Sequence, residues 1–183
     1  MSEQLIGKRV AILIAPAGSE QVEFEEPKRA AEEAGAEVTV VSTESGSAQA
    51  MKGDTEKGDS FEVDKTFADV SAEDFDALII PGGTVGADKL RASKEAIRFA
   101  ESFFAQAKPV AAICHAPWLL VEAGVVNGRK LTSYPSLKTD IKNAGGDWMD
   151  QEVVVDGGLI TSRNPDDLPA FCNKLVEVFG EAR

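Results

Sequence analysis

Apolar positions in this chain come in short unbroken runs, separated by longer stretches of helical period. Arg9-Val10-Ala11-Ile12-Leu13-Ile14-Ala15 is one such run, and Asp76-Ala77-Leu78-Ile79-Ile80 and Lys108-Pro109-Val110-Ala111-Ala112-Ile113 are two more. Strands buried on both faces of a parallel sheet read this way. Glu37 to Ser42 alternates and predicts another strand. Pro16 to Ser19 reads as a loop. The helical pattern after it stops at Gly35, a C-cap residue, and starts either at Pro27 or near Glu20 with a kink at Pro27. Thr43 to Ser60, rich in Ser, Gly, Lys and Asp, predicts an exposed loop with room for a short hairpin. Ser71 caps a helical turn, and an amphipathic helix runs from about Ser93 to Ala107. Further helices end at Gly124 and at Gly145-Gly146, and a last one runs from near Asp166 to Phe179. Gln151 to Val155 and Leu159 to Ser162 flank Asp156-Gly157-Gly158, a hairpin signal. Alternation of strand and helix predicts a mostly parallel sheet with helices on both faces. No repeat and no shift of composition divides the chain, so residues 1–183 are read as one domain.

Composition narrows the partners. The formal net charge is −12, which argues against a phosphate-backbone binder and hence against nucleic acid. The first nine residues carry neither a long apolar core nor a cleavage pattern, so no secretory leader and no membrane span is expected. Two cysteines, Cys114 and Cys172, make a poor disulfide framework and suit a reducing, cytoplasmic setting.

The chemistry is concentrated where the third run stops. Cys114 ends the strand, His115 follows, and Ala116-Pro117-Trp118-Leu119-Leu120 opens a helix. Strand, sharp turn, helix is where an α/β enzyme holds a nucleophile. Ala112 and Ala116 flank Cys114 at two residues on each side, where a tight elbow admits only small side chains. The helix start favours an anion and would acidify the thiol. The plainer alternative is that Cys114 is a small buried hydrophobe. Against it stands His115, the only histidine in the chain, directly beside the cysteine.

Other residues are weaker candidates. Gly82 and Gly83 end the strand expected beside that of Cys114; their N–H groups could form an oxyanion hole with that of His115. Glu20 follows the first strand and could lie over the elbow, or simply serve a helix dipole; Glu23, Glu25 and Glu26 read as solvated. Asp88 is a possible carboxylate partner for His115. One Cys beside one His does not make a tetrahedral metal set, so no metal is expected. Cys172, within an amphipathic helix, reads as packing.

Several blocks together resemble the PfpI family of intracellular proteases and deglycases, within the class I glutamine amidotransferase-like superfamily. They are Phe75 to Gly83, Ala112 to Pro117, Ala123-Gly124-Val125 with Gly128-Arg129, Thr132 to Pro135, Asn143 to Gly145, Glu152 to Gly157 and Thr161 to Arg163. The resemblance implies a flavodoxin-like three-layer sandwich with a cysteine nucleophile elbow and no cofactor. It implies Cys114 as nucleophile, His115 beside it, and Gly83 and His115 as oxyanion donors. It matches the family's cysteine-bonded glutamate to Glu20, through Glu20-Gln21-Val22-Glu23. Ala116 stands where the family has glycine, and the segment after Gly83 is one residue longer; protease-like members bring an acid to the histidine from a neighbouring subunit. The activity implied is a stress-response cysteine hydrolase, a peptidase or a deglycase or glyoxalase, acting on peptides or small carbonyl adducts. The alternative is a non-enzymatic oxidative-stress sensor or chaperone in which Cys114 is oxidised. A hydratase acting on a small carbon–nitrogen substrate also fits the superfamily. A glutamine amidotransferase is set aside, since no histidine follows His115. Relatives form dimers or larger rings, so a homodimer or higher homo-oligomer is expected.

Overall fold

The structure, a computed structural model, describes residues 3–182. Met1, Ser2 and Arg183, at the ends of the expected 1–183 unit, lie outside the described residues, as do the first two residues read for a leader. In chain order the elements are β1 (Arg9–Leu13), β2 (Ala17–Glu20), α1 (Gln21–Glu33), β3 (Glu37–Ser42), β4 (Gly46–Lys52), β5 (Glu56–Val63), β6 (Lys65–Thr66) and β7 (Ala77–Ile80). They continue as α2 (Thr84–Arg91), α3 (Lys94–Ala105), β8 (Val110–Ile113), α4 (Pro117–Glu122), β9 (Lys130–Leu131), α5 (Lys138–Asn143), β10 (Asp147–Trp148), β11 (Val154–Asp156), β12 (Leu159–Ser162) and α6 (Leu168–Glu181). One of the 3-10 turns, at Ala72–Asp74, is closed by Ser71 and Asp74 as a capping box.

The main sheet runs β11-β12-β8-β7-β1-β3-β6, parallel throughout except for β11 against β12. Its central strands are apolar on both faces because both faces are covered. Leu13, Leu78, Ile80 and Ala112 pack into one apolar cluster with Phe99 and Phe103 of α3. Ile12, Ile79, Ala111 and Ile113 pack into the other, with Phe24 of α1 and Phe171, Leu175 and Phe179 of α6. This is the flavodoxin-like sandwich with a mostly parallel sheet. Strand order reverses between β1 and β7, so a crevice opens at the carboxyl ends of the central strands.

Some elements differ from the sequence expectation, and others resolve one that was open. Pro16 to Ser19 is not a plain loop: β2 pairs parallel with β4 because the β4–β5 hairpin supplies a backbone partner. That hairpin is the one for which the expected exposed loop left room. A helix, α2, begins at once after Gly83 and was not read from the pattern, its eight residues TVGADKLR being too short to show a period. Helix α1 starts at Gln21 and carries Pro27 inside it, which leaves the Glu23 carbonyl without its helical N–H.

Candidate active site

Cys114 sits between β8 and α4 at φ +64°, a left-handed conformation that costs a non-glycine residue about 1–3 kcal/mol. Neighbouring elements hold it there. Its N–H donates to the Ser162 carbonyl at 3.0 Å, and its carbonyl accepts from Tyr134 N–H at 2.8 Å. Ala116 is buried in the elbow, where its N–H donates to the Ile113 carbonyl.

The acid beside the sulfur is Glu23, not Glu20. Glu20 is the last residue of β2, and its extended backbone turns the side chain outward to the hairpin tip. There it accepts the N–H of Gly53 at 2.9 Å and of Asp54 at 3.3 Å. Glu23 lies three residues later, on the inward face of α1 with Phe24 and Pro27, and is fully buried rather than solvated. Its Oε1 accepts Gly82 N–H at 3.1 Å, and its carboxyl lies beside the Cys114 side chain. Its Oε2 has no nitrogen or oxygen partner. Burial first, and then the charge of Glu20, push the Glu23 carboxyl up from its ordinary 4.5 to about 8. It therefore carries a proton at neutral pH.

Gly82 also changes role. Its N–H is committed to Glu23, so it is no oxyanion donor; it is glycine because a Cβ would lie 2.5 Å from Glu23 Oε1 and 2.8 Å from Cys114 Cβ. The N–H groups that reach the Cys114 sulfur are those of Gly83 and His115. Gly83 has φ +90°, and a Cβ there would meet the Gly18 carbonyl oxygen at 2.4 Å. The expected acidification of the thiol does not follow from α4, which is only six residues long. Burial, and then Glu23, push the Cys114 thiol up, against the pull of the two N–H groups.

His115 turns Nδ1 to the Cys114 sulfur at 3.2 Å. The ring stacks on Tyr134, with centroids 4.7 Å apart, and meets the Trp118 edge at 5.2 Å. Burial lowers its affinity for a proton, and the Asp54 carboxylate acts the other way. Asp88 lies exposed on α2, and within this chain the His115 ring meets Thr84 instead. The acid on the histidine side is Asp54, at the β4–β5 turn, which reaches His115 through Thr84. Asp54 was missed because a turn acid in a polar segment has no sequence signal.

A cavity of about 310 Å³ opens over the sulfur, walled by Glu20, Glu23, Asp54, Thr84, Tyr134 and Pro165, among others. A small carbonyl compound or one extended side chain fits that volume. Among the described residues no group of three or more His, Cys, Asp or Glu is placed to hold a metal, and no helix is long and apolar enough to cross a membrane. Cys172 lies half-buried on α6, its thiol pushed up to about 12, chiefly by burial.

Comparison with known proteins follows the geometry. The model of the DJ-1/PfpI family matches residues 8–178. General stress protein 18 of Bacillus subtilis is 44% identical over 91% of this chain and 94% of its own length. Protein/nucleic acid deglycase 2 of Escherichia coli is 42% identical over 96% of this chain and 99% of its own. Among solved structures, a two-domain protein of Anabaena variabilis with DJ-1/ThiJ/PfpI-like and ferritin-like domains superposes with a TM-score of 0.88 at 36% identity. That match covers 94% of this chain and 48% of the other.

Proposed function

The chain belongs to the DJ-1/PfpI family, and from that premise we propose that it is a stress-related cysteine hydrolase acting on carbonyl adducts or peptides through Cys114. One observation carries this reading: Cys114, in a strained elbow, is met at once by the His115 imidazole, two backbone N–H groups and a buried, protonated Glu23. The names of the relatives, a general stress protein and a deglycase, support the stress-related class.

The chemistry follows from the contacts. The thiol proton passes to His115 Nδ1, leaving the bonding pair on sulfur. The Glu23 O–H and the Gly83 and His115 N–H groups stabilise the charge that develops there. Sulfur adds to the substrate carbonyl carbon, and the carbonyl π pair moves to oxygen, within reach of the same N–H groups. With an acyl substrate, the departing amine takes the proton held on His115, and water then cleaves the thioester. Replacing Cys114 by Ser should remove turnover of methylglyoxal adducts and of peptides while leaving the far-UV circular dichroism unchanged; retained turnover would refute the assignment. The second reading, an oxidation sensor, rests on the same donors, which would also hold a sulfinate. It takes over if wild type turns over neither substrate class while mild peroxide adds oxygen to Cys114 rather than Cys172.

A further inference from the structure

Asp54 has φ +62° at the tip of the β4–β5 hairpin, a conformation that must be held from outside. Glu20 holds it, accepting the N–H of Gly53 and of Asp54. The Asp54 carboxylate then reaches across to the start of α2. Its Oδ1 accepts Thr84 N–H at 2.8 Å, and its Oδ2 accepts the Thr84 hydroxyl at 2.8 Å. A carboxylate can only accept, so the single proton of that hydroxyl is spent on Asp54. What Thr84 Oγ1 has left is lone pairs, and it lies 3.4 Å from His115 Nε2. Only a protonated Nε2 can make that contact.

We propose that Asp54 and Thr84, pinned by Glu20, form a relay that holds the neutral His115 ring with its proton on Nε2 and its bare Nδ1 facing the Cys114 sulfur. The inference rests on the hydrolase reading for its purpose, since a base on sulfur must present a lone pair. Asp54, Thr84 and Glu20 are positioning residues; they act through His115. The transfer is balanced. The proton leaves sulfur for Nδ1, and the resulting imidazolium keeps its Nε2–H on Thr84, with the Asp54 charge behind the hydroxyl. The titratable groups around the ring are Asp54 on the hairpin, Glu20 and Glu23 at the start of α1, and Cys114 itself. Tyr134, Trp118 and Thr84 face it as neutral groups. Arg91 lies over Trp118 and is paired with Glu122.

Because His115 is the only histidine, long-range 15N NMR of the labelled protein reports its tautomer without assignment. Above the titration of the ring, wild type should show the Nε2–H form alone. Thr84→Val should give a mixture or the Nδ1–H form and lower kcat roughly 10- to 100-fold, part of what acid–base catalysis contributes, with KM little changed. Thr84→Ser should recover most of both. Asp54→Asn should loosen the tautomer as Thr84→Val does, because the amide nitrogen donates where a carboxylate oxygen accepted and frees the Thr84 hydroxyl proton, and it should move the ring titration to lower pH, since the lost carboxylate favoured the charged form. A neutral wild-type ring protonated on Nδ1, a Thr84→Val spectrum like wild type in a folded variant, or an Asp54→Asn titration that does not move would each overturn the relay. If wild type has no turnover, the hydrolase reading falls, and the spectra still decide the relay.

Discussion

Glu23 is an acid kept where an acid is unfavourable. It is fully buried, its carboxyl is raised to about 8, and one of its oxygens has no nitrogen or oxygen partner. The linkage sign follows from that direction. The folded state holds a proton that the unfolded chain releases near 4.5, so the contribution of Glu23 to stability falls as pH rises from about 4.5 to about 8. Glu23→Gln, which keeps an acceptor for Gly82 N–H, removes that loss. The variant should melt higher than wild type at pH 8, by roughly 5 °C or more, and the gap should shrink towards pH 5. Parallel melting curves across that range would mean that the carboxyl is not buried as described. A site that gains stability when its acid is neutralised is a site where function has been favoured over stability.

At the scale of elements, the site depends on how closely α2 approaches β2. Gly86 makes this possible, since a Cβ on it would lie 2.6 Å from Ser19 N and 2.7 Å from Ser19 Cα, backbone that cannot yield. Close approach carries Thr84, two residues earlier on α2, to Asp54 and His115. Gly86→Ala should therefore cost about 1–3 kcal/mol through overpacking and lower the thermal midpoint by roughly 2–12 °C. Turnover should drop beyond what the lost stability explains, because Thr84 moves with its helix. Full turnover in a folded Gly86→Ala protein would show that this register is not needed. The hairpin works in the same way, since β4 lends its edge to β2 and its turn lends Asp54 to the site.

At the scale of the molecule, charge is the dominant unspent term. The chain carries a net charge of −12, and the ion pairs described are largely at the surface, where each is worth little. Self-repulsion should make the fold salt-dependent. Raising ionic strength to about 0.3 M, where the Debye length is well under 10 Å, should raise the thermal midpoint by roughly 2–4 °C. A midpoint that falls with salt would mean that local pairs outweigh the net charge. Both apolar clusters lie against the uncharged central strands and should be insensitive to salt.

The sequence by itself determined the sheet, its parallel sense and the elbow. Buried strands must be apolar on both faces, and a nucleophile turn must have small residues at Ala112 and Ala116, so both leave a local mark. Pairing Cys114 with His115 and placing Gly83 beside the sulfur were legible for the same reason, adjacency in the chain or at a strand end. The tertiary structure alone decided which carboxylates serve the site. Glu20 and Glu23 differ by three residues, and whether either faces the core depends on where α1 begins, which β2 and the hairpin set by pairing. Asp54 reaches His115 from a polar turn some 60 residues upstream, through α2. Contacts of that kind are made by packing between elements, and no spacing along the chain encodes them.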